Sequence, residues 1–238
     1  MPSFADVPTG WTTDRYEANE FVGVGSYQGR DNVLKIGIST AQGSANRSAG
    51  TSGDFYNTQG RQHAAAGGAG SSLAADLYID AAWRDGANGN VRTDMWGITD
   101  NQPLVYPIIG FTNFGGNARY RLWDADTANG WVDLATAVAF DAWTSFEILF
   151  TGTAFEYFIN GASVYTDTTI GGTTGFSAVI MQAYNFNDSN FDNNTATGFV
   201  GGDYAVHWAN ANAVPEPGSL ALAGLALAGL AAARRRRA

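Results

Sequence analysis

Between Trp143 and Asp167 the chain alternates in a way that an antiparallel sheet satisfies and a helix does not. Phe146, Ile148 and Phe150 stand two apart, with Glu147 and Leu149 between them. Thr151-Gly152-Thr153 interrupts, and Phe155, Tyr157 and Ile159 then resume around Glu156 and Phe158. Successive side chains of a strand point to opposite faces, so this period of two gives each strand one apolar face. Asn160-Gly161 is a preferred pair for a type I′ hairpin turn, where both central residues need positive φ. Val164 and Tyr165 open the next strand. The segment therefore predicts a three-strand meander.

The rest of the body has the same character. Strands are expected at 21–24, 32–38, 72–79, 92–98, 105–112 and 118–123. Others are expected at 131–134, 144–151, 154–159, 163–166, 177–184 and 203–208. Gly, Asn, Asp and Thr clusters separate them, which is turn chemistry. There is no internal repeat and no long amphipathic helix. With 238 residues, 45% of them hydrophobic, and no cysteine, the chain can build one large core without disulfides. These features predict an all-β, two-sheet antiparallel sandwich or jelly roll over residues 6–213.

Charge excludes one class of partner. The formal net charge is −9. Without Arg234 to Arg237 and Glu216, the body holds 9 basic residues against 21 acidic ones, and Lys35 is its single lysine. Such a surface repels phosphate backbones, so no nucleic-acid partner is expected.

The composition changes abruptly at residue 214. Val214-Pro215-Glu216-Pro217 leads into residues 220–233, made of Leu, Ala and Gly alone, and then into Arg234, Arg235, Arg236 and Arg237. Leu220, Leu222, Leu225, Leu227 and Leu230 supply the apolar bulk. The prolines stop any element from crossing the junction. The arginines hold their end of a short transmembrane helix on the cytoplasmic side, which leaves the body outside. Fourteen residues rise roughly 21 Å as helix, against a hydrocarbon core of about 30 Å. The tail is thus a weak anchor, suited to transient use.

This three-part order resembles the PEP-CTERM sorting signal. The resemblance covers residues 214–238. It implies recognition of Pro215, Glu216 and Pro217 by an exosortase-type membrane enzyme in a Gram-negative bacterium. It also implies anchoring at the inner membrane in transit, and then delivery to the cell surface or extracellular matrix, often beside exopolysaccharide. Proteins of this kind usually begin with a secretion signal, whereas this chain begins MPSFADVPTGW, with no basic or apolar leader region. Ser3-Phe4-Ala5 before Asp6 carries small residues where a signal peptidase favours them. Residues 1–5 are therefore read as the remnant of a signal, and an in-frame apolar segment is expected upstream in the gene.

The segment from Trp143 to Val164, with its Trp-led strand, hairpin and Asn-Gly turn, resembles the laminin-G-like branch of the concanavalin A-like lectin/glucanase superfamily. That resemblance bears on fold more than on function. Glucanases of the superfamily carry paired carboxylates in an E-x-D-x-x-E strand motif, which this chain lacks. The body's glutamates are Glu17, Glu20, Glu147 and Glu156. Glu147 and Glu156 are expected on adjacent strands, as solvent-face residues. His63 falls in a Gln/Ala/Gly-rich loop and His207 in the last strand, and no nucleophile or zinc motif accompanies them. No catalytic residue is assigned.

Sugar sites stack aromatic rings on sugar faces and surround them with polar groups. Trp83-Arg84-Asp85, Trp96, the run from Arg119 to Trp123, and Tyr184-Asn185-Phe186 supply such groups. Alternation puts Arg119, Arg121 and Trp123 on one face, with Tyr120 and Leu122 inward. Arg119, Arg121, Trp123, Tyr184 and Asn185 are therefore the candidate glycan contacts; core packing is the competing role for any one tryptophan. Two loops offer clustered oxygens for calcium, one through Asp124, Asp126 and Asn129, the other through Asn187, Asp188, Asn190 and Asp192. The same residues also suit turns without any metal. The expectation is a non-enzymatic exported domain that binds exopolysaccharide or another glycan. A matrix protein without a specific ligand and a degenerate glycoside hydrolase are the alternatives.

Overall fold

The computed structural model describes residues 3–42, 57–101, 105–187 and 201–214. Fourteen strands form two antiparallel sheets of seven. In the first, the spatial order is β1 (Thr12–Thr13), β4 (Thr58–Gly67), β13 (Phe176–Tyr184), β6 (Arg92–Thr99), β7 (Ile108–Thr112), β8 (Arg119–Trp123) and β9 (Trp131–Asp133). In the second it is β12 (Ala162–Asp167), β11 (Phe155–Ile159), β10 (Ala142–Phe150), β5 (Ser71–Ile79), β14 (Tyr204–Val214), β3 (Leu34–Ile38) and β2 (Glu20–Gly23). They are called sheet A and sheet B below.

The meander forms as the alternation requires. Phe146, Ile148 and Phe150 of β10 pair with Ile159, Tyr157 and Phe155 of β11, and all six side chains are buried. A slip of one residue would turn this whole set to solvent, so the pattern fixes the register. Asn160 and Gly161 take φ of 50° and 76°, the left-handed pair a type I′ turn needs.

The core lies between the sheets. Leu73, Leu77, Phe146, Ile148, Val206 and Trp208 of sheet B meet Met95, Ile109, Phe111, Tyr120, Leu122 and Met181 of sheet A. Trp208 is fully buried, and its Nε1–H crosses the core to Thr93 Oγ1 at 2.9 Å. Tyr120 does the same in reverse, its hydroxyl 2.8 Å from Thr144 Oγ1. Each bond satisfies a polar group that the sandwich would otherwise leave stranded.

One segment differs from the sequence expectation. The stretch holding His63 is not a loop but β4, a strand of 10 residues. Part of its inner face packs on the N-terminal segment rather than on the apolar core. Arg61 lies over the Phe21 ring at 5.3 Å and pairs with Glu17 at 2.8 Å, and His63 packs on Trp11 at 5.2 Å. Apolar alternation is therefore missing from a genuine strand. Of the N-terminal residues, 3–5 are described. Phe4 is 2% exposed and packs on Trp11 at 5.8 Å, while Ser3 O accepts the Trp11 indole N–H. At the other end, β14 runs on to Val214, opposite Ser72. The sorting residues Pro215, Glu216 and Pro217, the five leucines and Arg234–Arg237 lie outside the described residues. Among the described residues, no helix is long and apolar enough to cross a membrane.

Candidate functional site

The outer face of sheet A carries the site. Because β13, β6, β7, β8 and β9 are neighbours, their outward residues fall into rows. One row runs Ile180, Trp96, Ile108, Trp123, Trp131. The next runs Gln182, Asp94, Gly110, Arg121, Asp133. Adjacent strands stand about 4.8 Å apart, so each row is a ladder of close side chains drawn from distant parts of the sequence.

A cavity of about 300 Å³ opens on this face. Trp96, Tyr106, Trp123, Trp131 and Tyr184 wall it, with Ile108, Thr58, Arg92 and Gln182 completing the lining. Trp123 and Trp131 meet edge to face at 5.2 Å, and Trp96 meets Tyr106 in the same way at 5.4 Å. Gly130 makes the first pair possible. A Cβ there would lie 2.2 Å from the Trp123 ring, and its φ of 69° suits glycine. Arg15 lies over the Trp96 ring at 4.8 Å.

The polar row has uneven partners. Arg92 Nε meets Asp94 Oδ2 at 2.8 Å, and Arg119 Nε meets Asp133 Oδ1 at 2.8 Å. Arg119 also donates to the Phe114 and Asn117 carbonyls, each at 2.8 Å, so it ties the β7–β8 turn together. Arg92 and Arg121 lie 4.6 and 3.8 Å from the Trp131 ring centre. Burial, with the Arg92 charge next, pushes the Arg121 guanidinium down to about 9. Arg121 Nε, Asp94 Oδ1 and Trp123 Nε1 are buried and without hydrogen-bond partners.

Of the expected contacts, Trp123 and Tyr184 line the cavity, while Arg121 stacks on Trp131 of its wall and Arg119 lies further along the same strand. Asn185 is a correction. It is fully buried, its Nδ2 donating to Ser39 O at 3.2 Å and its Oδ1 accepting from Asn187 N at 2.9 Å. Its amide is spent on holding loops and does not face the cavity. Trp131, Tyr106, Arg92 and Gln182 complete the site and were not singled out in the sequence. No motif links them, because only sheet register makes them neighbours.

Of the calcium candidates, Asp124 and Asp126 come together with Asp167, their carboxylates within 4.8 Å of one another. Asn129 is exposed. Asp124 accepts from Tyr165 OH at 2.6 Å and from Asp126 N at 2.9 Å; Asp126 accepts from Thr169 Oγ1, and Asp167 from Thr169 N at 2.7 Å. Burial raises the Asp167 carboxyl, and Asp124 and Asp126 add to it, while the bond to Asp124 pushes Tyr165 up to about 12. Asn187 sits elsewhere, its Nδ2 donating to Gly202 O at 2.9 Å. Asp188, Asn190 and Asp192 lie outside the described residues.

Glu147 and Glu156 point outward from sheet B, opposite Phe158 and Leu149 respectively, so they are diagonal neighbours on the sheet away from the cavity. The residues lining the cavity include no carboxylate.

Comparison with known proteins adds two findings. Residues 213–237 match the PEP-CTERM protein-sorting motif, so the chain carries the signal of an exported protein that an exosortase recognises and sorts through the membrane. The fold is shared with solved jelly-roll structures. A marine PL7 alginate lyase from Zobellia galactanivorans is 12% identical over 84% of this chain and 94% of its own, with a TM-score of 0.51. A sialidase aligns over 90% of this chain but 18% of its own, at 10% identity and a TM-score of 0.52. A prokaryotic β-1,3-1,4-glucanase from a mouse hindgut metagenome aligns over 87% and 93%, at 11% identity and a TM-score of 0.49. No curated protein sequence matches the chain. The fold is therefore a two-sheet jelly roll, in a chain that bears a PEP-CTERM tail.

Proposed function

We propose that this exported domain binds a surface glycan, exopolysaccharide above all, in the cavity on sheet A, without catalysing its cleavage. The observation that carries the reading is the composition of that cavity. Its aromatic walls suit sugar faces, and Thr58, Arg92 and Gln182 suit hydroxyls. Retaining hydrolysis needs two carboxylates about 5–5.5 Å apart. The lining provides none, and Asp94 behind it is already paired to Arg92. The tail serves delivery. Residues 220–233 hold the chain in the inner membrane while the exosortase-type enzyme acts at Pro215-Glu216-Pro217. The folded body then reaches the cell surface or matrix.

The test is calorimetric titration of the full-length chain with polysaccharide purified from the surface of the producing bacterium. Saturable heat that disappears in a Trp123→Ala, Trp131→Ala double variant is the expected result. No heat from folded protein would favour a matrix role without a ligand, and shortening of the polysaccharide during the titration would favour a hydrolase or lyase.

A further inference from the structure

Three arginines of the strands of sheet A, Arg92, Arg119 and Arg121, share its outer face with two aspartates, Asp94 and Asp133, while Arg15 of the N-terminal segment, paired with Asp14 at 2.7 Å, lies over Trp96. Each aspartate has an arginine of its own, Arg92 for Asp94 and Arg119 for Asp133. Arg121 is left over. It is 7% exposed, and among the described residues it makes no ion pair or hydrogen bond. Its Nε is buried and unpartnered, and its main contact is the Trp131 ring at 3.8 Å. A guanidinium withdrawn from water without an ion pair of its own is costly, and the nearby Asp94 and Asp133 charges and stacking on indole recover part of that cost. The chain as a whole carries −9, so a surplus buried cation here runs against its general charge.

The neighbouring position in the row is a glycine. Gly110 stands between Asp94 and Arg121 in register. It has no side chain, and the space one would take is filled, since a Cβ would lie 2.2 Å from Thr93 O and 2.6 Å from Asp94 Oδ1. That oxygen is itself buried without a donor. An unused acceptor and an unused cationic donor thus flank one glycine, beside Trp131 of the cavity wall.

We propose that the cavity takes a sugar residue bearing a carboxylate, which pairs with Arg121 while a ring hydroxyl donates to Asp94. A uronic acid combines the three required features: a ring face for Trp123 and Trp131, a hydroxyl, and an anion. The inference rests on the reading of the cavity as a glycan site. A bound carboxylate would raise the depressed Arg121 guanidinium, since it adds an opposite charge to those of Asp94 and Asp133.

The experiment compares uronic-acid trisaccharides, built from glucuronate, galacturonate, mannuronate or guluronate, with their carboxyl-reduced forms. Binding to the full-length chain is measured by calorimetry at neutral pH. At least one acid should bind about tenfold or more tighter than its reduced form, because a charge-assisted bond to a buried guanidinium is lost on reduction. Arg121→Met should abolish that preference and Arg121→Lys should restore part of it. Arg121→Met should also melt no lower than wild type, because it removes a buried charge without an ion pair of its own. A purely structural Arg121 would instead lower the melting temperature. Equal binding of acid and reduced forms would overturn the charge inference and leave the glycan reading standing, with water satisfying Arg121 and Asp94. No binding of any trisaccharide, or of the surface polysaccharide, would overturn both.

Discussion

The two outer faces of the sandwich carry similar residues and put them to different use. On sheet B, His207, Tyr78 and Trp143 are cross-strand neighbours beneath Tyr27. Tyr27 stacks on His207 at 3.8 Å with the rings 7° from parallel, and Trp143 Nε1 donates to Gln28 O at 2.9 Å. In the hollow of about 310 Å³ nearby, both carboxylates are engaged, Asp80 with Ala82 N at 2.8 Å and Asp203 with Thr40 N at 2.6 Å. On sheet A, Arg121 Nε, Asp94 Oδ1 and Trp123 Nε1 stay buried and unsatisfied beside an aromatic cavity. Aromatic content therefore does not mark the site. Unspent hydrogen-bonding capacity does, because a fold that leaves such groups idle loses stability unless a ligand uses them.

The comparison breaks most sharply on matched tryptophans. Trp131→Ala should weaken glycan binding by about 2 kcal/mol or more, roughly thirtyfold, the loss typical of a central aromatic anchor. Trp143→Ala should leave binding unchanged and cost about 1–3 kcal/mol of folding stability. Calorimetry and denaturant unfolding on both variants check this, and equal binding losses would erase the distinction between the faces.

A finer contrast concerns acid. Burial, with the Lys35 charge second, holds the His207 imidazole down at about 4 against an ordinary value of 6.5. Between those values the unfolded chain binds a proton that the folded chain refuses, so stability falls as pH drops from 6.5 towards 4. His207→Asn should flatten that limb in melting curves, while Trp131→Ala should keep it. An unchanged limb in His207→Asn would remove this role from the aromatic stack.

The smallest expected effect is at the acidic cluster. The Asp167 carboxyl is raised by burial and by its neighbours. The folded chain then holds a proton that the unfolded chain has released, and stability falls as pH rises from the ordinary carboxylate value to the raised one. In chelator, Asp167→Asn should melt slightly higher than wild type at neutral pH. A rise in the wild-type melting temperature on adding calcium, absent from Asp167→Asn, would show instead that the cluster holds the metal.

How much of this was legible in the sequence follows from how each part is encoded. The 143–167 meander was readable because one face of each strand is buried against a single apolar core. β4 was hidden because Arg61 and His63 on its inner side pack on residues 11–21, and because Gly60 backs directly onto β13, where a Cβ would meet Met181 O at 2.1 Å. The shared face of Arg119, Arg121 and Trp123 was readable from alternation within one strand. Trp131, Tyr106, Arg92 and Gln182 were not, since they join the site through register among β6, β8, β9, β13 and the 105–107 segment. Asn185 misled because an Asn beside Tyr184 and Phe186 has the same composition whether it faces a ligand or ties loops. Asp167 joined Asp124 and Asp126 from a strand 41 residues further on, as Tyr165 meets Asp124 across that separation.

The central claim is that glycan recognition belongs to the outer face of sheet A. The indole N–H resonances of the seven tryptophans, followed by NMR while the surface polysaccharide is added to the full-length chain, test it directly. Saturable shifts at Trp96, Trp123 and Trp131, with Trp143 and Trp208 unmoved, are the predicted result. Shifts confined to Trp143, or none at all from folded protein, would contradict it.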